Sequence, residues 1–196
     1  MTLIDSRPGV ASTMREVAGR TGFPIDADLV VSRLGPPLEQ ELAHWVPAER
    51  VTETSHLYRE IYRDLGAGTL AMPGAVEALA AVRAAGGRSV VVTAKREDLA
   101  RLCLAAVDLP VDSVAGWMWG AGKGPALRDF GASVYVGDHV LDVAAARAAG
   151  ALAVAVVTGG TCAKELLDAG ADVVLDDLRA FPGWLSGHLL EMRLTS

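Results

Sequence analysis

Ser133-Val134-Tyr135-Val136-Gly137-Asp138-His139-Val140-Leu141-Asp142 reads as a short strand, a tight turn and the opening of a helix. The β-branched and aromatic run 133–136 suits a buried strand. A helix is expected over 140–149. Asp138 then stands at the tip of the strand. Asp142 lies four residues further, one helical turn away on the same face.

The same alternation runs outward from this segment. Upstream, Pro73-Gly74 opens a helix through residue 85 that Gly86-Gly87 ends. Residues 89–92 form a β-branched strand, followed by a helix over 97–107 and a weak strand over 111–115. Downstream, a strand is expected over 152–157, a helix over 161–169 and a last short strand over 173–175. Strands that alternate with helices give a parallel sheet with helices on both faces. The fold class is therefore α/β, a Rossmann-like parallel sheet, and its ligands should bind beyond the carboxyl ends of the strands.

Residues 9–70 differ. They contain no convincing strand, and Gly22, Pro24, Gly35-Pro36-Pro37 and Pro47 break them into helices near 11–19, 28–34, 38–45 and 53–65. In the last of these, Leu57, Tyr58, Ile61, Tyr62 and Leu65 share one face. This is a small helical unit inserted ahead of the alternating part.

Composition narrows the function. The 196 residues are 51% hydrophobic and 21% charged, which excludes an intrinsically disordered chain. A formal charge of -6 argues against a broad nucleic-acid or anionic-membrane footprint. No apolar run approaches the roughly 20 residues that span a bilayer, and no signal peptide is visible, so a cytoplasmic protein is expected. Cys103 and Cys162 lack metal-type spacing and read as small apolar residues. Fifteen arginines stand against three lysines, Lys95, Lys123 and Lys164, so a retained lysine either marks a point-charge role or is chance.

Three signals follow strand ends. Thr93-Ala94-Lys95, after strand 89–92, offers a hydroxyl and free N–H groups to a phosphate or carboxylate, or Thr93 merely caps a turn. Asp138 and Asp142 offer hard oxygens to Mg²⁺, or they are an N-cap and a solvated helix residue. Lys123, in the glycine-rich stretch 120–125, could bring an ammonium to an anion, or be solvated; the spacing is not that of a P-loop. Arg33 and Arg59 read either as solvated or as reaching a substrate carboxylate.

In their order, these motifs resemble the haloacid dehalogenase-like hydrolase superfamily over nearly the whole chain, and most closely its phosphoglycolate phosphatase-like branch. The resemblance rests on Pro73-Gly74 through Val92-Thr93-Ala94-Lys95 and on Gly137-Asp138 with Asp142. It implies a core formed by 1–8 and 72–196 and a small helical cap domain over 9–71. It also implies a Mg²⁺-dependent phosphatase for a small phosphorylated metabolite. Thr93 and Ala94 would hold phosphoryl oxygens, with Lys95 a secondary substrate-binding residue at the cap-facing edge. Lys123 would neutralise charge, Asp138 would bind Mg²⁺, and Asp142 would bind it through water or hold Lys123. Gly124-Pro125 departs from the branch's usual pattern after the lysine, which weakens the branch assignment.

The family's first motif ends a strand in DxDGT and continues as a TL-I/V-DS-x-P run. Thr2-Leu3-Ile4-Asp5-Ser6-Arg7-Pro8 resembles that continuation. The nucleophilic aspartate and the acid/base aspartate of the family therefore have no matching residues here. Three expectations follow. The true chain starts further upstream; or residues 1–4 fill the central strand position, with Asp5 near its end; or the protein is an inactive member that binds a phosphorylated ligand or a protein partner. A separate alternative is a structural homodimer in which a partner strand completes the sheet.

Overall fold

The computed structural model describes residues 1–194. The chain opens with a two-residue strand, β1 (Ile4–Asp5), followed by four helices, α1 (Arg7–Thr21), α2 (Ala27–Ser32), α3 (Leu38–Leu42) and α4 (Val51–Leu65). Pro8 sits in the first turn of α1, where its missing N–H is no loss, and Gly22 closes the helix in the left-handed conformation. Asp26 caps α2 by accepting from the N–H groups of Asp28 and Leu29. The apolar face of α4, with Tyr58, Ile61 and Tyr62, packs on Val10, Met14 and Val17 of α1, and Leu99 and Cys103 of the following layer join this core.

After β2 (Leu70–Ala71) the chain runs α5 (Ala75–Ala84), β3 (Val90–Val92), α6 (Glu97–Ala106), β4 (Ser113–Ala115), α7 (Lys123–Asp129), β5 (Val134–Gly137), α8 (Val140–Ala149), β6 (Leu152–Val156), α9 (Ala163–Asp168), β7 (Val173–Leu175) and α10 (Phe181–Leu194). The helices cover both strand faces, because side chains alternate along each strand. Val114, Val154 and Val156 face α5, α6 and α10. Ala153 and Ala155 face α8 and α9, while Val92 faces α7 and α8. Among the described residues no helix is long and apolar enough to cross a membrane.

Two elements differ from the sequence reading. Residues 123–129 form α7 rather than a glycine-rich loop, and 181–194 form α10, which the glycines and Pro182 obscure. Pro125 and Pro182 both lie in the first turn of their helices, where proline is tolerated.

The sheet is also divided. β3 pairs in parallel with β4, with Val90 opposite Ser113; β5, β6 and β7 pair in parallel, with Val134 opposite Leu152 and Val154 opposite Val173. Among the described residues no ladder joins β3 to β5. Ser89 and Thr93 bond toward β4, and Ser133 toward β6. By the alternation of a parallel ladder, the peptide groups of Val90 and Val92 and those of Val134 and Val136 point away from these partners, toward each other. Between them runs a cavity of about 1500 Å³, which continues to the ends of the strands. Residues 1–4 do not take up a ladder position in this gap: Ile4 and Asp5 pair antiparallel with Ala71 and Leu70.

Candidate functional site

The site gathers at the carboxyl ends of β3 and β5. Gly137 ends β5, and a Cβ there would overlap Asp142, so only glycine lets the first turn of α8 close on the strand tip. His139, not Asp138, caps α8: its Nδ1 accepts from the Leu141 N–H at 3.1 Å. Asp138 is thereby left to point into the cavity. Its Oδ1 accepts from the Thr2 hydroxyl at 2.9 Å, and its Oδ2 is ion-paired with the Met1 ammonium. Gly159, on the loop after β6, makes room for this carboxylate, since a Cβ at 159 would collide with Oδ2.

Asp142 is not a solvated helix residue. It and Lys123 are each only 13% exposed, and Lys123 Nζ donates to Asp142 Oδ1 at 2.6 Å. Lys123 also donates to the Tyr135 hydroxyl at 3.1 Å. That hydroxyl lies 3.2 Å from the Val92 carbonyl and 3.3 Å from Asp142 Oδ1, so its single proton bridges β5 to β3 or to α8. Burial pushes the Tyr135 phenol well above its ordinary pKa, and the Asp142 charge adds to this, so the phenol stays a neutral donor. Tyr135 was not singled out by sequence reasoning. The available signal was a phenol in a strand expected to be buried, which needs a polar partner.

Thr93 ends β3. Its hydroxyl oxygen accepts from the Lys95 N–H at 3.2 Å, a turn-capping role, and among the described residues its proton has no acceptor. Lys95 donates from Nζ to the Tyr62 hydroxyl at 2.8 Å, beneath α4. Thr93, Ala94, Lys95, Lys123, Asp138 and Asp142 all line the same cavity. Asp5 does not: it is held by Arg7, which draws its carboxyl below the usual carboxylate pKa. Arg33 and Arg59 are neither free nor merely solvated. Arg33 pairs with Glu41 at 2.6 Å, and Arg59 pairs with Glu39 and lies 5.7 Å from the Trp117 ring.

Among the described residues no group of three or more His, Cys, Asp and Glu side chains assembles into a metal cage. The donor chemistry at Asp138 nevertheless suits a hard cation, and the Met1 ammonium already sits against it. Mg²⁺ commonly takes one or two carboxylates, with phosphate oxygens and waters completing its shell. The donor set fits that arrangement with Asp138 as ligand, since Asp142 commits one oxygen to Lys123.

The sequence model of the haloacid dehalogenase-like hydrolases matches residues 1–147, and a second, HAD-hydrolase-like model matches 123–181. No curated protein matches the chain. Among solved structures, a haloacid dehalogenase-like family hydrolase from Streptococcus pneumoniae superposes with a TM-score of 0.79 at 19% identity, covering 96% of this chain and 93% of that one. A candidate phosphoglycolate phosphatase from Lactobacillus delbrueckii subsp. bulgaricus superposes with a TM-score of 0.74 at 16% identity, covering 93% of each chain. CbbY from Rhodobacter sphaeroides, solved in complex with phosphate, gives 0.75 at 18% identity and 91% of each chain. These likenesses concern the fold: an α/β core whose parallel strands are flanked by helices.

Proposed function

The chain belongs to the haloacid dehalogenase-like hydrolase family, and we propose that it supplies most of a Mg²⁺-dependent phosphatase of the phosphoglycolate phosphatase-like branch, acting on a small phosphorylated metabolite. The observation that carries this reading is that one cavity is lined by a strand-end hydroxyl, Thr93, an oriented ammonium, Lys123, and a strand-tip carboxylate, Asp138. Phosphoryl transfer asks the protein mainly for positioning and charge neutralisation.

In this reading the Thr93 hydroxyl and the Ala94 N–H take phosphoryl oxygens. Lys123 stabilises the charge that develops on the transferring group, and Asp142 with Tyr135 fixes where its ammonium stands. Asp138 is the protein ligand for Mg²⁺, which when bound would neutralise phosphate charge as a Lewis acid. The nucleophilic aspartate would belong to a strand upstream of Met1. Two features support this: the likeness of residues 2–8 to the continuation of the family's first motif, and the gap between β3 and β5, which Met1 and Thr2 border. The other reading, a protein that binds phosphate compounds without turnover, is favoured by the lack of residues in this chain that match the family's nucleophilic and acid/base aspartates.

Hydrolysis of p-nitrophenyl phosphate with Mg²⁺ tests the two. A chain extended upstream by its in-frame codons is expected to release nitrophenol, and to lose that activity on Asp138→Asn or Lys123→Ala. An extended chain that is stabilised by phosphate and Mg²⁺ but releases nothing refutes hydrolysis in favour of binding.

A further inference from the structure

Two of the four tryptophans stand apart from the apolar cores. Trp45 packs on the cluster between α1 and α4, and its Nε1 donates to Glu41 at 2.9 Å. Trp184 packs against Phe181 in the core beneath α10. Trp117 and Trp119, between β4 and α7, are 67% and 38% exposed, and they are the exposed aromatic side chains among the described residues. Both line the cavity that also holds Thr93, Lys123 and Asp138.

The backbone holds Trp117 there against its own preference. Its φ is +60°, a conformation that a bulky residue adopts only where its surroundings enforce it. Those surroundings include the strand end proposed to bind phosphate. The Trp117 N–H donates to the Lys95 carbonyl at 3.0 Å, and the Met118 N–H donates to the Thr93 carbonyl at 2.8 Å. Gly116 permits this approach, since a Cβ at 116 would collide with the Glu97 backbone. On the far side, the Trp119 carbonyl accepts from the Gly122 N–H at 3.1 Å in the turn that leads into Lys123. The two indoles are thus fixed relative to both groups assigned to the phosphoryl site.

One face of Trp117 is also backed. The Arg59 guanidinium, itself held by Glu39, lies 5.7 Å from the ring centroid. With two-thirds of the residue still exposed, the opposite face is open. An indole held by its loop and by a cation loses little freedom when a second flat ring settles on it.

We propose that Trp117 and Trp119 form a stacking platform for a flat aromatic ring carried by the leaving portion of the phosphate ester, so that aryl phosphates or nucleotides bind in preference to esters of saturated alcohols. This rests on the phosphoryl site proposed above and adds the chemistry of the leaving group. Thr93 and Lys123 serve the group that is transferred, and the indoles select what it is transferred from.

The test is equilibrium binding with Mg²⁺, by calorimetry and tryptophan fluorescence, at about pH 8, where the phosphate esters are dianions. Two pairs of equal charge are compared, with inorganic phosphate as reference: phenyl phosphate against cyclohexyl phosphate, and adenosine 5′-monophosphate against ribose 5-phosphate. Stacking predicts that the aromatic member binds more tightly, about threefold or more in the first pair or about tenfold in the second. Preference in the first pair identifies a ring attached directly to the ester oxygen; preference in the second identifies a base one sugar away. Trp117→Gly removes the ring and accepts the positive φ, so it should fold, bring the ratio near one and reduce the fluorescence change on binding. Trp117→Phe should keep part of the preference. Equal affinity within both pairs, or a ratio that survives Trp117→Gly, overturns the inference and leaves the phosphoryl site standing. Failure of inorganic phosphate and every ester to bind removes the phosphoryl site, and the inference with it.

Discussion

Lys123→Met should destabilise the fold far more than an exposed lysine would, and the effect should vanish in large part when Asp142 is also changed. Lys123 Nζ and Asp142 Oδ1 are 2.6 Å apart, and each side chain is 13% exposed. At that separation and an effective dielectric constant near 20, the Coulomb attraction is about 6 kcal/mol. Desolvation of the two charges offsets most of it, so the pair as a whole stabilises little. Removing one partner is different, because the other stays buried and unmatched; for a fully buried pair this costs about 3–5 kcal/mol. We expect about 3 kcal/mol for Lys123→Met, toward the lower end because each side chain keeps 13% of its surface exposed. Asp142→Asn should cost less, since the new amide oxygen and the Tyr135 hydroxyl still accept from Lys123. The double variant should fall close to the worse single one, giving a coupling energy of about 2 kcal/mol or more. Urea unfolding followed by far-ultraviolet circular dichroism measures all four corners of the cycle. If the two substitutions add within about 0.5 kcal/mol, the pair is not cooperative and Asp142 does not fix the Lys123 ammonium.

Two further outcomes follow from the same geometry. The folded-state pKa of Lys95 lies below its ordinary 10.5, so the fold carries the burden of an ammonium held from water at neutral pH, and that burden disappears as pH rises through the folded value toward 10.5. Lys95→Met should therefore be more stable than the parent at pH 7, with the advantage shrinking as pH approaches 10.5; an advantage independent of pH would show that packing rather than charge is responsible. Gly137→Ala places a methyl group against Asp142 at the tip of β5; it should cost about 1–3 kcal/mol as an overpacked site and weaken phosphate and Mg²⁺ binding by displacing α8 from β5, whereas unchanged binding would mean that the turn has freedom the structure does not suggest.

The alternating core was legible because its strands are apolar runs of the expected length. Val90–Val92 and Leu152–Val156 are flanked by helices on both faces and so lack the polar alternation that would make a half-exposed strand ambiguous. The GDxxxD spacing located the strand tip and the first turn of α8, but not the division of labour there. An aspartate at a strand end ordinarily caps the next helix, and the chain instead gives that task to the His139 ring, leaving Asp138 to face the cavity. Helices α7 and α10 were hidden by Pro125, Pro182 and their neighbouring glycines, which a linear reading takes as breakers although the first helical turn needs no N–H from them. The Tyr135 bridge was beyond reach, because no pattern in one strand tells which atoms of another strand its side chain will meet.

The gap between β3 and β5 links stability to chemistry. Val90, Val92, Val134 and Val136 turn their peptide groups toward it, and the Tyr135 hydroxyl reaches only the Val92 carbonyl among them. Each such group, if buried without a partner, costs about 1–3 kcal/mol, against a total stability of about 5–15 kcal/mol for an ordinary domain. A parallel strand lying in the gap would bond to both edges at once and cover valines that are now only partly buried. Its carboxyl end would emerge between Thr93 and Asp138, because parallel neighbours end at the same rim as β3 and β5. Whatever residue ends that strand is thus delivered to the phosphoryl site by the same hydrogen bonds that close the sheet. Extending the chain upstream should then raise the urea midpoint and confer turnover together, whereas a gain in turnover with no gain in stability would place the added segment outside the gap.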